Sequence, residues 1–275
     1  MAIILNGVDL RNQILNDLRM RVEKMPVQPK LAVVLVGDDK ASKIYVRNKE
    51  KYAAITGIAS EIIRFSKDAG EQIIIRKIHE LNNDNSITGI LVQLPLPEHI
   101  DAQKILNSVS PDKDVDGFTD VNIGKMYGTG KDFIIPCTPR GILRLLDEYK
   151  INVDGKNVVV IGRSNIVGKP IAHMLMKKNA TVTICHSHTQ NISKFTQGAD
   201  VVISATGKIK IMGDMLKPGC VLIDVGMQHD ENGNLCGDCD FESCSRVAGY
   251  ITPTPGGVGP MTIAGLMMNI VDMVK

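Results

Sequence analysis

The chain has 275 residues, 44% of them hydrophobic and 23% charged, enough apolar material for one large domain or two modest ones. Lysine and arginine number 32 against 30 acids, a net charge of +2, so the bulk charge argues for neither nucleic acid nor a membrane surface as partner. The opening MAIILNGVDL is apolar for only a few residues before it turns polar, too short for a signal peptide or a spanning helix, and the expected compartment is the cytoplasm.

Along the chain, apolar runs of strand length alternate with helical patterns. LAVVLVG (31–37), ASEIIRF (59–65) and TGILVQL (88–94) are separated by helical stretches 40–57 and 70–82. Strands apolar on both faces, joined by helices, are the pattern of a parallel sheet covered on both sides. CTPRGILRLLDEYKINVDGK then starts a connecting helix, with Thr138 as N-cap and Pro139 at the first helical position. In the second half, strands are expected at 157–162, 180–185, 199–204 and 220–226, with a helix over 167–178, again as a doubly wound parallel sheet. The chain ends in ITPTPGGVGPMTIAGLMMNIVDMVK, with three prolines and three glycines between 253 and 260 ahead of an apolar helix. Such a loop is either held in a set path against a ligand or serves as a linker.

Six cysteines are scattered rather than framed, which fits reduced thiols. Cys236-x-x-Cys239, with Cys244 beyond and His229 before, has a spacing that could ligate zinc. The stretch DENGNLCGDCDF reads instead as a hairpin turn with no second Cys-x-x-Cys facing it, so no metal site is expected and the thiols are read as incidental.

VVVIGRSNIVGKP (158–170) places Gly162 at the end of a buried strand and Gly168 six residues later at the start of a helix. A glycine there lets the backbone approach a pyrophosphate, and the free amides of the helix start supply donors, although the spacing departs from G-x-G-x-x-G. A site for NAD wants a carboxylate at the end of the next strand. That strand ends TICHSHT (183–189) without an acid, whereas Ser187, His186, His188 and Arg163 suit a phosphate, so NADP is the expected cofactor. An ordinary exposed polar turn is the competing reading of Ser187 and the histidines.

In the first half, SKIYVRNKEK (42–51) sets Tyr45 and Lys49 one helical turn apart on one face. Ala41, Ile44, Tyr45, Asn48, Tyr52 and Ile55 form the expected stripe of this helix, with Lys49 at its edge. A lysine there is ordinarily a snorkelling surface residue, while short-chain dehydrogenases use a Tyr-x-x-x-Lys pair catalytically. Gln93 interrupts the apolar strand in LVQLPLP near its carboxyl end, where ligands of parallel sheets sit. In PDKDVDGFTDVN, alternation sends Asp114 and Asp116 to one side and Val115 inward, and either acid could simply shape the turn.

Together SKIYVRNK, LVQLPLP, PDKDVDGF, PCTPRG, GRSNIVGKP, TICHSHT, SATG, IDVG and TPTPGGVGPMT resemble the bifunctional methylenetetrahydrofolate dehydrogenase/cyclohydrolase family, in order and over nearly the whole chain. The resemblance displaces the short-chain dehydrogenase reading, in which the glycine loop precedes the tyrosine-lysine pair. It implies a two-domain α/β fold: residues 1–138 and 260–275 as a folate-binding catalytic domain, and residues 139–259 as a Rossmann-like NADP domain, with the final helix returning to the first.

It further implies a homodimer, NADP-dependent oxidation of 5,10-methylene-tetrahydrofolate, hydrolysis of the methenyl product to 10-formyl-tetrahydrofolate, and a place in one-carbon metabolism that serves purine biosynthesis. By the same resemblance Lys49 handles the protons of hydrolysis, Gln93 orients it, Tyr45 stacks on the folate and Asp116 binds the pterin. Gly162, Arg163, Ser164, Val167, Gly168, Ser187, Thr206 and Gly207 fall at cofactor positions, and Pro255, Gly256 and Gly257 at substrate positions. Cys239 stands where GDVDF is usual, and Lys169 and His173 are variable positions. A monofunctional dehydrogenase and a protein that binds NADP without turnover are the competing readings.

Overall fold

The computed structural model describes residues 1–130, 132–231 and 233–274. The chain divides into two compact units, Gln13–Cys137 with Ile263–Lys275, and Met1–Asn12 with Thr138–Thr262. It opens with β1 (Ile3–Ile4) and α1 (Gly7–Val22), followed by β2 (Lys30–Val36), α2 (Lys40–Ile55), β3 (Ala59–Phe65), α3 (Glu71–Asn83), β4 (Gly89–Val92), α4 (Ala102–Asn107) and α5 (Asp120–Tyr127). In this unit the sheet is parallel with order β3-β2-β4. Central β2 is buried from Leu31 to Val36 because helices cover both of its faces, as its unbroken apolar run requires. Val34, Val36, Ile74, Ile78, Ile90 and Ile105 form the core of one face. On the free edge of β4, Ile90 bridges Asp114, adding residues 113–115 beside the sheet.

Helix α2 starts where Asp39 caps it by accepting from the Ser42 amide at 2.7 Å. Its buried residues are Ser42, Val46 and Ala53, not the expected stripe: Ile44 is 59% exposed, Ile55 46% and Tyr45 39%. Small side chains at the buried positions let the helix lie close to the sheet, and the bulky ones project outward.

The other unit continues from α6 (Cys137–Glu148) through β5 (Asn157–Ile161), α7 (Gly168–Lys177), β6 (Thr181–Cys185), α8 (Ser193–Thr196), β7 (Val201–Ser204) and β8 (Val221–Asp224). A small hairpin of β9 (Gln228–His229) and β10 (Leu235–Cys236), then α9 (Phe241–Ser245) and β11 (Tyr250–Ile251), precede the closing α10 (Val258–Asp272). Its six-stranded sheet is parallel throughout, in the order β1-β11-β8-β7-β5-β6. β5 lies between β6 and β7, so the strand order reverses there and the crevice at its carboxyl end is the place for a ligand.

The observed division differs from the expected span 1–138 at its start. β1 pairs with β11, Leu5 donates its amide to Ile251 O at 2.8 Å and Gly7 to Gly256 O at 2.9 Å, which ties residues 1–12 to the six-stranded sheet. Ile3 and Ile4 have unpaired backbone groups of their own, and the edge of β11 satisfies them.

Candidate active site

Lys49 leaves α2 partly buried and donates from Nζ to Gln93 Oε1 at 2.9 Å. Gln93 follows β4 directly, its amide donating to Val34 O at 2.9 Å, so its side chain emerges at the carboxyl end of the sheet. The amide NH2 of Gln93 donates to Leu94 O at 2.6 Å, which turns Oε1 toward the lysine. A hydrogen bond to a charged donor of this kind contributes about 1.5–3 kcal/mol. Tyr45, one turn before Lys49, is 39% exposed, and desolvation pushes its phenol pKa up, so the hydroxyl stays protonated.

The two acids of PDKDVDGF have separate tasks. Asp114, 5% exposed, accepts from the amides of Gly117 at 2.9 Å and Thr119 at 2.8 Å and from Asn122 Nδ2 at 3.0 Å, so it shapes the turn. Asp116 makes none of these turn contacts. Desolvation pushes its pKa up, while the Lys49 charge and a thiol hydrogen bond from Cys137 at 3.1 Å pull it down, and the neighbouring Asp114 adds to the rise. The felt charge of Lys49 brings lysine, glutamine and acid into one cluster within this unit.

A raised carboxyl pKa makes the ionised form a cost to folding. That cost is absent below the unfolded-state value and sets in as pH rises through the folded-state value. Asp116→Asn is therefore expected to raise Tm at neutral pH and to leave it unchanged in acid, each recovered kcal/mol appearing as about 2–4 °C. Thermal melts at both pH values check it, and an equal shift at both would contradict the assigned cause.

In the other unit, Gly162 closes β5 with φ +122°, and a Cβ there would stand 2.5 Å from Ala205 O. A Cβ at Gly168 would stand 2.2 Å from Gly162 O, so the first turn of α7 lies directly on the loop. Ser164 Oγ accepts from the amides of Val167 at 3.2 Å and Gly168 at 3.3 Å, which curls the loop back on itself. The result is a tight glycine loop beside a helix start, where the backbone can be approached closely as a diphosphate requires. The expected free amides of that helix start are instead engaged locally, Gly168 with Ser164 Oγ and Lys169 with Ser164 O. Arg163 and Ser187 are both exposed, each two residues beyond the register-paired Ile161 and Cys185. The turn holding Ser187 is closed by Thr189, whose hydroxyl accepts from the His186 amide at 2.9 Å.

Gly168→Ala is expected to displace this loop at a cost of about 1–3 kcal/mol and to weaken cofactor binding in a fluorescence titration. Unchanged affinity would separate the glycine contact from the cofactor.

Sequence reading missed Asp238. It is 1% exposed, and its Oδ2 accepts from Ser204 Oγ at 2.7 Å, from the Thr206 amide at 2.9 Å and from Thr206 Oγ1 at 3.1 Å. Gln228 Nε2 donates to the other oxygen at 2.9 Å. Asp224 in turn holds Asp238 N at 3.0 Å and Cys239 N at 2.8 Å. Thr206 is thus fixed beyond the carboxyl end of β7 by an acid 32 residues away, and only a fully folded sheet reveals the partner.

Pro255, Gly256 and Gly257 lie in this same unit, in the loop before α10, where Gly257 N donates to Pro253 O at 2.8 Å. Cys236 belongs to the hairpin and Cys239 follows it. Among the described residues no group of three or more His, Cys, Asp or Glu side chains could hold a metal, and no helix is long and apolar enough to cross a membrane.

The chain matches the catalytic domain of tetrahydrofolate dehydrogenase/cyclohydrolase over residues 5–116 and the NAD(P)-binding domain of the same family over residues 136–275. It is 50% identical to the bifunctional protein FolD of Paraburkholderia xenovorans, covering 98% of this chain and 96% of that one. Among solved structures, the bifunctional FolD enzyme of Campylobacter jejuni superposes with TM-score 0.97 at 42% identity, over 99% of this chain and 98% of that one. The Trypanosoma brucei dehydrogenase-cyclohydrolase, solved with NADP and an inhibitor, superposes with TM-score 0.93 at 34% identity, over 99% and 97%. With both domains matched in order, and a lysine-glutamine-acid cluster in one unit and a glycine cradle in the other, the chain belongs to the tetrahydrofolate dehydrogenase/cyclohydrolase family.

Proposed function

We propose that the protein oxidises 5,10-methylene-tetrahydrofolate to the 5,10-methenyl form with NADP and hydrolyses that product to 10-formyl-tetrahydrofolate. The observation that carries this reading is the Lys49–Gln93 hydrogen bond with Asp116 in electrostatic reach, at the carboxyl end of a parallel sheet. NADP, when bound, accepts the hydride from the methylene carbon. Gly162 and Gly168 would give its diphosphate room to approach the backbone, and Arg163 and Ser187 suit the ribose phosphate.

Oxidation leaves a cation delocalised over two folate nitrogens, so the first step releases no proton to a base. Positioning is what this chain must supply, with Tyr45 as a flat platform and Asp116 as acceptor for the paired donors of the pterin. Hydrolysis does move protons. Lys49 is the group within reach for this exchange: in its neutral amine form it takes a proton from the attacking water and, as the ammonium so formed, returns it when the ring opens. Gln93 engages one N–H of the amine and leaves its other positions for substrate and water. The side-chain oxygen of Gln93 orients the lysine amine through this hydrogen bond.

Cytoplasmic location, a homodimer and a role of the 10-formyl product in purine biosynthesis belong to the same proposal and rest on the family. Incubation with methylene-tetrahydrofolate and each nicotinamide cofactor, following absorbance of reduced cofactor and of the methenyl product, tests it. Reduced cofactor should appear with NADP and the methenyl signal should decay. No signal with either cofactor would leave a binding protein, and methenyl product that persists would leave a monofunctional dehydrogenase.

A further inference from the structure

Helix α10 is apolar on nearly every side: Leu266, Met267, Ile270 and Val271 are all 1% exposed or less. Asn269 stands among them, also 1% exposed. A buried side-chain amide is costly unless its hydrogen bonds are made, so its partners show what it is for. Its Nδ2 donates to Val115 O at 2.7 Å and to Ile135 O at 3.0 Å, and lies 3.6 Å from Cys137 Sγ. The orientation follows from the acceptors, since two carbonyl oxygens can face only the NH2 side of the amide. One turn earlier, a Cβ on Gly265 would stand 2.2 Å from Cys137 O, so this face of the helix rests on the Cys137 backbone.

The residues so held are those next to Asp116. Val115, fully buried, precedes it, and a Cβ on Gly89 would stand 2.1 Å from Val115 Cγ1, so the turn carrying the acid has no slack on that side. The Cys137 thiol lies 3.1 Å from Asp116 Oδ1 and 3.6 Å from Val115 O, both acceptors for its one proton. The shorter contact to a carboxylate is the stronger. The positive edge of the Asn269 amide faces the sulfur lone pairs and turns the S–H away from itself.

We infer that Cys137 is a positioning residue for Asp116, its thiol aimed at the carboxylate by Asn269 of the last helix, so that α10 sets the orientation of the pterin-binding acid. The inference rests on the function proposed above for Asp116. It makes the C-terminal helix part of the active-site apparatus without its touching substrate.

The test compares wild type with Cys137→Ala, Cys137→Ser and Asn269→Leu, in pH profiles of methenyl-tetrahydrofolate hydrolysis and in KM for folate and for NADP. Removing the thiol donor removes a contact that favours the ionised acid. Cys137→Ala should therefore move the acidic limb to higher pH by about one pH unit and raise the folate KM about tenfold. Asn269→Leu should move both in the same direction, Cys137→Ser should restore both, and KM for NADP should stay put.

A loss of Tm in Cys137→Ala with the limb and folate KM unmoved would overturn the inference and leave the thiol a packing group. The S–H stretching band keeps the question decidable if the cysteine or asparagine variants do not fold. Asp116→Asn should move the band of one thiol to higher frequency, and an unchanged spectrum would overturn the hydrogen bond. Wild-type protein inactive on folate would refute the functional reading instead, and the infrared result would still decide the Cys137 contact.

Discussion

Lys49→Ala is expected to lower hydrolysis of methenyl-tetrahydrofolate by about 10²–10⁴-fold, the range a positioned acid-base group contributes, while folate binding stays largely intact. Lys49 donates to Gln93 at 2.9 Å but supports no structural element, since the buried contacts of α2 come from Ser42, Val46 and Ala53. The loss should therefore appear in kcat for hydrolysis and leave Tm near that of wild type. Oxidation of the methylene bridge releases no proton to a base, so the variant should still reduce cofactor and accumulate methenyl product. Following both absorbances in one reaction separates the steps. Normal decay of the methenyl signal would sink the role assigned to Lys49. Loss of both steps together would place the lysine in folate binding.

Ser187→Asp combined with Arg163→Ala should weaken NADP much more than NAD. Each lost charge-assisted contact to a phosphate is worth about 1.5–3 kcal/mol, and a carboxylate at 187 adds repulsion to the 2′-phosphate while offering the ribose hydroxyl of NAD an acceptor. Both residues are exposed at the carboxyl ends of neighbouring strands, so the replacements disturb no core contact. Apparent KM for the two cofactors in the dehydrogenase assay checks it. An unchanged ratio would put the phosphate elsewhere on the nucleotide unit.

Much of this was readable along the chain because it rests on local patterns. The run Leu31–Val36 is apolar at successive positions, and the strand it forms is buried on both faces. Gly162 and Gly168 were legible as a nucleotide loop from their place at a strand end and a helix start, and in the fold each lacks the space for a Cβ. Gln93 was visible as a lone amide at the end of an apolar strand, and it meets Lys49 as expected.

What sequence could not settle depends on partners far along the chain. Asp114 and Asp116 look alike in PDKDVDGF. One is spent on the amides of Gly117 and Thr119, and the other faces Cys137 and the charge of Lys49. The stripe expected on α2 followed side-chain size, but the sheet beneath accepts the smaller residues, leaving Ile44, Tyr45 and Ile55 outward. Asp238 carries no local mark of its hold on Thr206, and Asn269 none of its reach to Val115 across 154 residues.

Sequence alone determined the main strands, their parallel arrangement and the glycine loop after β5, because backbone periodicity and glycine geometry act over a few residues. Tertiary structure alone decided which acid of PDKDVDGF caps the turn, which sheet takes β1 and which carbonyls Asn269 reaches, because those outcomes depend on which buried polar groups find partners when distant segments pack.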